Sequence, residues 1–554
     1  MRKANIPVAA CIGSVVAAFG ASTSAGAAAT RSATSSAPAQ QQPQRPNILC
    51  VVCEDICPNL GCFGDRVAKT PNLDAFSREA IRYNMYTTIG VSAPSRFSLI
   101  TGLYPSSYGA NQMRVSTKAP GLEAKGIEPY QVTLPEGMVC YTELMRRAGY
   151  YCTNNAKTDY QFAPPLTAWD ECSKQAHWRN RPEGMPFLAI FNLDVTHESQ
   201  IWQRGNLPLQ IDPEDVVLPP YYPDDPVVRH DVAVNYSNIF EMDRQAQKLF
   251  DQVRDAGLLD NTIIIWYSDN GGPLPRRKRE VYESGALVPF MIRLPDGYRK
   301  GEYEKRLVMF ADIPATILSL AGIEPPKYMQ GRAFLGRHAD PAPRKYVYGA
   351  HDRMDEQVDK IGCVRDARYR YIRNYMPEQP GYTPNRYRLQ MPMMVRMAEM
   401  YRQGLLNEVQ SRWFTAPRPE EEFYDVEADP HEINNLIGDP KYRKHIARLK
   451  AEYERWVATD NKDWMRPEIE IRNRMWPAGT QPVVATPTLR HTDRGIEATC
   501  ETPGASLAYQ INGKAWGREG QWMLYSGPIT LSEGDQLAVV GVRIGYRNSK
   551  PSKP

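Results

Sequence analysis

Two pairs of hard-oxygen side chains, Glu54-Asp55 and Asp269-Asn270, each follow an apolar run of strand length. Oxygen donors of this kind suit Ca²⁺ or Mg²⁺. Arg96, Lys157, His197 and Lys278 form a cationic set scattered along the same half of the chain. Among them stands Ser92-Ala93-Pro94-Ser95-Arg96, where a hydroxyl precedes a proline suited to a first helical turn. Ser92 then lies at a helix N-terminus, where free N–H groups and the macrodipole favour an anion. Alone, the stretch reads as a capped helix start. With a hard-cation cage and a cationic pocket beside it, it describes a site for a tetrahedral oxyanion ester. There a metal polarises one oxygen while Lys, Arg and His neutralise developing charge.

Something must bring these residues together, and the strand pattern supplies it. Asn47–Cys53, Phe187–Leu193 and Thr262–Ser268 are continuous apolar runs, as in central parallel strands covered on both faces. Tyr150 to Asn155 reads as a further strand, ending at Lys157, and Val288 to Leu294 as another. Helices are expected from Thr70 to about Tyr83, from Thr133 to Arg147, from about Asp231 to Asp255, and from Asp312. Alternating strands and helices make the class α/β, and the polar groups converge on the edge where strands end.

Length and composition set the outer bounds. The chain has 554 residues, 42% of them hydrophobic, enough for a large core and several domains. A formal net charge of +4 is small for this size and excludes a dedicated nucleic-acid binder. Residues 1–27 read as a signal peptide, since Met1-Arg2-Lys3 precedes a short apolar run and Ala25-Gly26-Ala27 offers a cleavage site. Export to the periplasm or beyond follows, with lipoprotein anchoring at Cys11 as the second reading. No later segment is apolar enough to span a bilayer. Residues 28–45 are a polar tether. The fold is divided at 46–375, 376–470, a linker at 471–490, and a small β-sandwich at 491–554. The nine cysteines outside the signal do not suggest a disulfide framework, although Cys57 and Cys62 flank a loop and could pair.

RPNILCVVCED, KTPNLDAF, SAPSRFSLITG, SDNGGP, ADIPATILSLAG and EFYDVEADPHEINNL together resemble the type I sulfatases, the formylglycine-dependent branch of the alkaline phosphatase superfamily. The resemblance covers about Pro46 to Trp464. It implies an alkaline-phosphatase-like α/β/α sandwich with a smaller C-terminal α+β subdomain. It also implies that Ser92 is oxidised to formylglycine, by a radical maturase acting before folding, and that the aldehyde hydrate attacks sulfur. Glu54, Asp55, Asp269 and Asn270 would hold Ca²⁺. Arg96 would steady the hydrate, and Lys157, His197 and Lys278 would grip the sulfate. The sequence departs from the family in having serine for cysteine at 92 and Glu54 for aspartate. It also has Asp159 and Tyr108 where histidines are common.

Within the family, the stretch from Val216 through NYSNIFEMDRQAQKLFDQVRDAGLLDNTIIIWYSDNGGPLP is similar to the sulfamidases, which implies N-sulfated glucosamine of heparin or heparan type as substrate. The terminal module resembles chitobiase-type C-terminal β-sandwiches. His351, Asp352, Arg353 and Asp355 form a densely charged turn before a strand and are expected to contact the sugar. Arg276-Arg277-Lys278-Arg279 is either a solvated charge run or a contact for a polyanionic substrate. Two other enzymatic readings stay open, an O-sulfatase on another glycan and a phosphoester or phosphonate hydrolase. The non-enzymatic alternative is a glycan-binding protein with a dead site.

Overall fold

The computed structural model describes residues 45–117, 122 and 126–554. The expected signal peptide, the alternative anchor at Cys11 and the tether before Arg45 lie outside the described residues. Among the described residues, no helix is long and apolar enough to cross a membrane.

The apolar runs form the strands they suggest. β1 (Asn47–Cys53) is buried along its whole length. It is followed by β2 (Ile81–Tyr86), β3 (Tyr151–Asn155), β4 (Glu171–Cys172), β5 (Phe187–Leu193), β6 (Thr262–Ser268), β7 (Leu287–Arg293) and β8 (Tyr303–Met309). They build one eight-stranded sheet in the order β4-β3-β5-β1-β6-β7-β2-β8. Pairing is parallel except at β7, which runs against both neighbours.

Alternate residues of β1 feed two cores. Ile48, Cys50 and Val52 pack with Phe97 and Ile100 of the helix Ser92–Thr101 and with Ile313 and Ile317 of the helix Asp312–Leu320. Leu49, Val51 and Cys53 pack on the other face with Val232, Ile239 and Met242 of the 30-residue helix Pro226–Asp255. Each fully buried aliphatic side chain contributes about 1.5–3 kcal/mol, so both layers hold the sheet firmly. The result is the expected α/β/α sandwich.

A second sheet is antiparallel, ordered β12-β11-β10-β9, from β9 (Val347–His351), β10 (Ile361–Arg365), β11 (Tyr369–Asn374) and β12 (Glu421–Asp425). The helix Arg443–Thr459 covers it with Leu449, Tyr453 and Trp456. This sheet takes strands from both sides of residue 375, so that boundary divides a hydrogen-bonded unit.

Several local expectations are corrected. The helix from Thr70 stops at Ser77, and Ile81–Tyr86 is a strand in which buried Ile81, Tyr83 and Met85 alternate with partly exposed Arg82 and Asn84. That period of two overrides helix propensity. The helix ending at Arg147 begins only at Tyr141, because Gly137 turns the chain at φ +76°. Residues 471–475 belong to the helix Glu468–Met475 and are not linker. Cys57 and Cys62 are free thiols, and Cys57 Sγ donates to the Ser284 carbonyl at 2.8 Å.

The C-terminal module is built of antiparallel strands between Thr488 and Val542. It docks on the β3–β4 edge of the main sheet. Trp516 Nε1 donates to Asp170 at 2.9 Å, Arg518 pairs with Glu171 at 3.0 Å, and Arg146 donates to the Trp522 carbonyl at 2.8 Å.

Candidate active site

Strand register decides what meets at the sheet edge. Cys53 pairs with Leu193 on one side and Ser268 on the other, so the residues after β1, β5 and β6 emerge abreast. Glu54 N–H donates to the Leu193 carbonyl at 3.1 Å, and Asp269 N–H to the Cys53 carbonyl at 2.9 Å. Gly271 and Gly285 let the following loop close, since a Cβ on Gly271 would lie 2.2 Å from the Gly285 carbonyl oxygen.

Glu54, Asp55 and Asp269 are all buried, and one oxygen of each lies within 4.8 Å of the others. Asn270 turns its Nδ2 to Asp55 Oδ1 at 2.7 Å, leaving its own Oδ1 facing the Ser92 hydroxyl at 2.9 Å. Ser92 is the first residue of its helix, as expected, and is buried. Arg96, one turn on, donates through Nε to Asp269 at 2.9 Å and through Nη1 to Asn192 at 2.7 Å. Its buried Nη2 has no partner among the described residues.

Two ammonium groups flank the carboxylates. Lys157 Nζ donates to Glu54 and Lys278 Nζ to Asp55, each at 2.6 Å. His197 places Nε2 3.7 Å from Glu54. Ser199 N–H donates to His197 Nδ1 at 3.3 Å, which leaves the ring proton on Nε2. Burial, reinforced by the Lys278 charge, lowers His197 to about 4, so the ring is neutral at neutral pH.

The carboxylates differ in their protonation. Burial pushes Asp55 and Asp269 up, against the pull of Lys278 on the first and Arg96 on the second. Burial opposes ionisation of Glu54 too, but Lys157, Arg96 and His197 outweigh it and hold Glu54 down at about 2. Carboxylates crowded and buried in this way fit a hard divalent cation, whose charge removes their mutual repulsion. The extra methylene of Glu54 is accommodated: its carboxylate sits in the same cluster as the two aspartates.

Sequence reasoning missed Glu198. It is buried beside His197, its backbone N–H donates to Asp55 at 2.6 Å, and its carboxylate meets Lys278 at 3.2 Å and Arg279 at 2.8 and 2.9 Å. Its position directly after the strand-end histidine was the available signal. The run Arg276–Arg279 is no solvated face: Arg276, Lys278 and Arg279 are buried.

The turn from His351 to Asp355 is placed differently from expectation. Arg353 is 2% exposed, and its guanidinium grips Glu468 at 2.7 Å through two nitrogens. Asp352 accepts from Asn111 and Lys360, and His351 Nδ1 lies 2.5 Å from the Arg279 carbonyl oxygen. Asp355 alone of the four keeps a partly exposed carboxylate, 3.6 Å from Arg279. Asp159 pairs with partly exposed Arg114 at 3.3 Å, and Tyr387 and Trp202 meet edge to face near His197.

Residues 46–323 match the family model described as sulfatase. The chain belongs to the sulfatase family. Residues 276–404 also match the model of the C-terminal region of N-sulphoglucosamine sulphohydrolase. An ulvan-active sulfatase of Formosa agariphila is 39% identical over 92% of this sulfatase and 91% of its own length. Human N-sulphoglucosamine sulphohydrolase is 23% identical over 78% of this chain and 94% of its own. A solved structure in complex with its substrate D-glucosamine-2-N,6-O-disulfate shares the fold, with a TM-score of 0.54 at 19% identity, covering 76% of this chain and 99% of that one.

Proposed function

We propose that this sulfatase removes sulfate from a glycan after export and after Ser92 has been oxidised to formylglycine, with Ca²⁺ held by Glu54, Asp55, Asp269 and Asn270. The observation that carries this reading is the Ser92 hydroxyl, set at a helix start 2.9 Å from Asn270 Oδ1. It stands beside three clustered buried carboxylates. The formylglycine hydrate supplies a hydroxyl nucleophile for sulfur, and the metal supplies a Lewis acid for a sulfate oxygen.

The chain's own groups do the rest. Arg96 is fixed by Asp269 and Asn192, and its unpartnered Nη2 is a donor for a sulfate oxygen. Lys157 and Lys278 neutralise charge from two sides, which favours the more highly charged transition state. His197, holding its proton on Nε2, donates a hydrogen bond to the leaving oxygen or nitrogen of the sugar. Asp355, Arg114 and Tyr387 form a partly exposed rim suited to hydrogen bonding and stacking on a ring, replacing the role expected of Arg353.

Two substrates follow from two similarities. The match over nearly the whole of both chains favours a sulfate ester of an ulvan-type polysaccharide. The C-terminal match favours the sulfamate of N-sulfated glucosamine. Matured enzyme assayed on both, with a small aryl sulfate as reference, tests the reading. Turnover of the aryl sulfate without turnover of any sulfated glycan would remove the glycan from it.

A further inference from the structure

A cavity of about 630 Å³ lies on the other side of the loop that carries Lys278, and no residue of the metal cluster or cationic pocket lines it. The segment Arg276–Tyr282 separates the two. Lys278 donates to Asp55 on the catalytic side, whereas Arg276, Glu280 and Tyr282 line the cavity. Its volume falls within the range of small-molecule sites.

The walls combine apolar surface with unneutralised carboxylates. Ile361, Ile372 and Val281 are buried, and Trp413 and Tyr424 contribute aromatic rings. Among the described residues, Glu422 accepts only from neutral donors: Tyr282 Oη at 2.9 Å, Tyr424 Oη at 2.6 Å and Asn374 Nδ2 at 2.7 Å. Glu280, 5% exposed, accepts from Trp413 Nε1 at 3.2 Å, and its other oxygen has no partner among the described residues.

Among the described residues, none of the neighbouring arginines pairs with Glu280 or Glu422. Arg276 donates to the carbonyls of His431 and Glu432, Arg418 pairs with Asp359, and Arg412 with Glu408. Arg388 lies over the Trp413 ring at 5.6 Å and makes no ion pair with Glu280 among the described residues. Burial pushes the Glu280 carboxyl up, against the pull of His351, Arg388 and Arg276. Such carboxylates repel sulfate and lack hydrogen-bond donors. Hydroxyl or ammonium groups on a ring with an apolar face would satisfy both walls at once.

We propose that this cavity is a second sugar site, taking a neutral or amino-sugar unit that buries no sulfate. Choosing a sugar rests on the glycan-sulfatase reading above. The catalytic pocket, with its free Arg96 donor, and this cavity, with two glutamates that make no ion pair among the described residues, would then sort sulfated from unsulfated units of one chain.

Calorimetric titration of full-length Ser92→Ala protein with D-glucosamine, and with desulfated ulvan oligosaccharides, tests the proposal. At least one should bind saturably. Glu280→Gln should weaken that binding about tenfold, as expected for loss of a hydrogen bond to a charged group. Ser411→Trp, at a half-buried lining position, should weaken it as strongly by filling space, and carries the test if Glu280→Gln fails to fold. Absence of saturable binding by either sugar, binding unchanged in the variants that fold, or displacement by N-sulfoglucosamine would overturn the proposal. Aryl-sulfate turnover by the Ser92 enzyme is measured separately. Its failure would count against the sulfatase reading while leaving the binding result intact.

Discussion

The Ser92 hydroxyl donates to Asn270 Oδ1 across 2.9 Å although 178 residues separate the two. One residue opens a helix and the other follows a central strand, so their contact requires that helix to be packed on the sheet. On the proposed reading, the same Asn270 oxygen is the one a metal would take, and the contact would join nucleophile and cation.

Metal removal should act on stability in a pH-dependent way. Asp55 and Asp269 have raised pKa values in the metal-free fold, so the folded state holds those protons more tightly than the unfolded chain does. Their ionisation therefore costs stability as pH rises through the folded values. Glu54 has the opposite sign: its contribution is present above the unfolded pKa and is lost only as pH falls toward about 2. Chelated protein should melt lower at pH 7 than at mildly acidic pH, and Ca²⁺ should restore the difference at pH 7. Melting curves with and without chelator check this, and a Ca²⁺ effect that grows toward acid pH would contradict it.

Glu198→Gln should lower kcat/KM about 10- to 100-fold, as for other groups that orient a site's direct ligands. The Glu198 backbone contact to Asp55 survives the change, whereas Lys278 and Arg279 lose a shared counter-charge. The loss should fall on an aryl sulfate as heavily as on a sugar. Unchanged kinetics in a folded variant would show that Asp55 alone positions Lys278.

Arg353→Ala should cost stability, about 3–5 kcal/mol, because it leaves Glu468 without its buried partner. A normal melting temperature with selective loss on sugar substrates would return Arg353 to the substrate.

His197 should leave no inflection near its ordinary value in the pH profile of kcat/KM, since burial and Lys278 lower it to about 4. An inflection between about pH 6 and 7 that disappears in His197→Asn would refute that assignment.

The main sheet was legible because β1, β5 and β6 announce burial on both faces by unbroken apolarity, and their ends carry the polar pairs. Asp55, Asp269 and Asn270 follow from that geometry, whereas Ser92 stood out through its SAPSR stretch and the family it resembles. β2 was hidden because Ile81–Tyr86 continues a helical pattern without a glycine or proline between them. Arg353 was misjudged for a different reason. A charged turn looks solvated until its partner is known, and Glu468 lies 115 residues away. Glu198 was passed over because its one signal was its place beside a histidine, and its partner Arg279 lies 81 residues away.

Peptide mass spectrometry of Ser92 in enzyme produced with and without a radical maturase, paired with turnover of an aryl sulfate, decides the account. The active preparation should carry a Ser92 peptide lighter by two hydrogens, with activity rising in proportion to that fraction. The unmodified preparation should fold with the same melting temperature and turn over poorly. Full activity in protein whose Ser92 is entirely unmodified would contradict it.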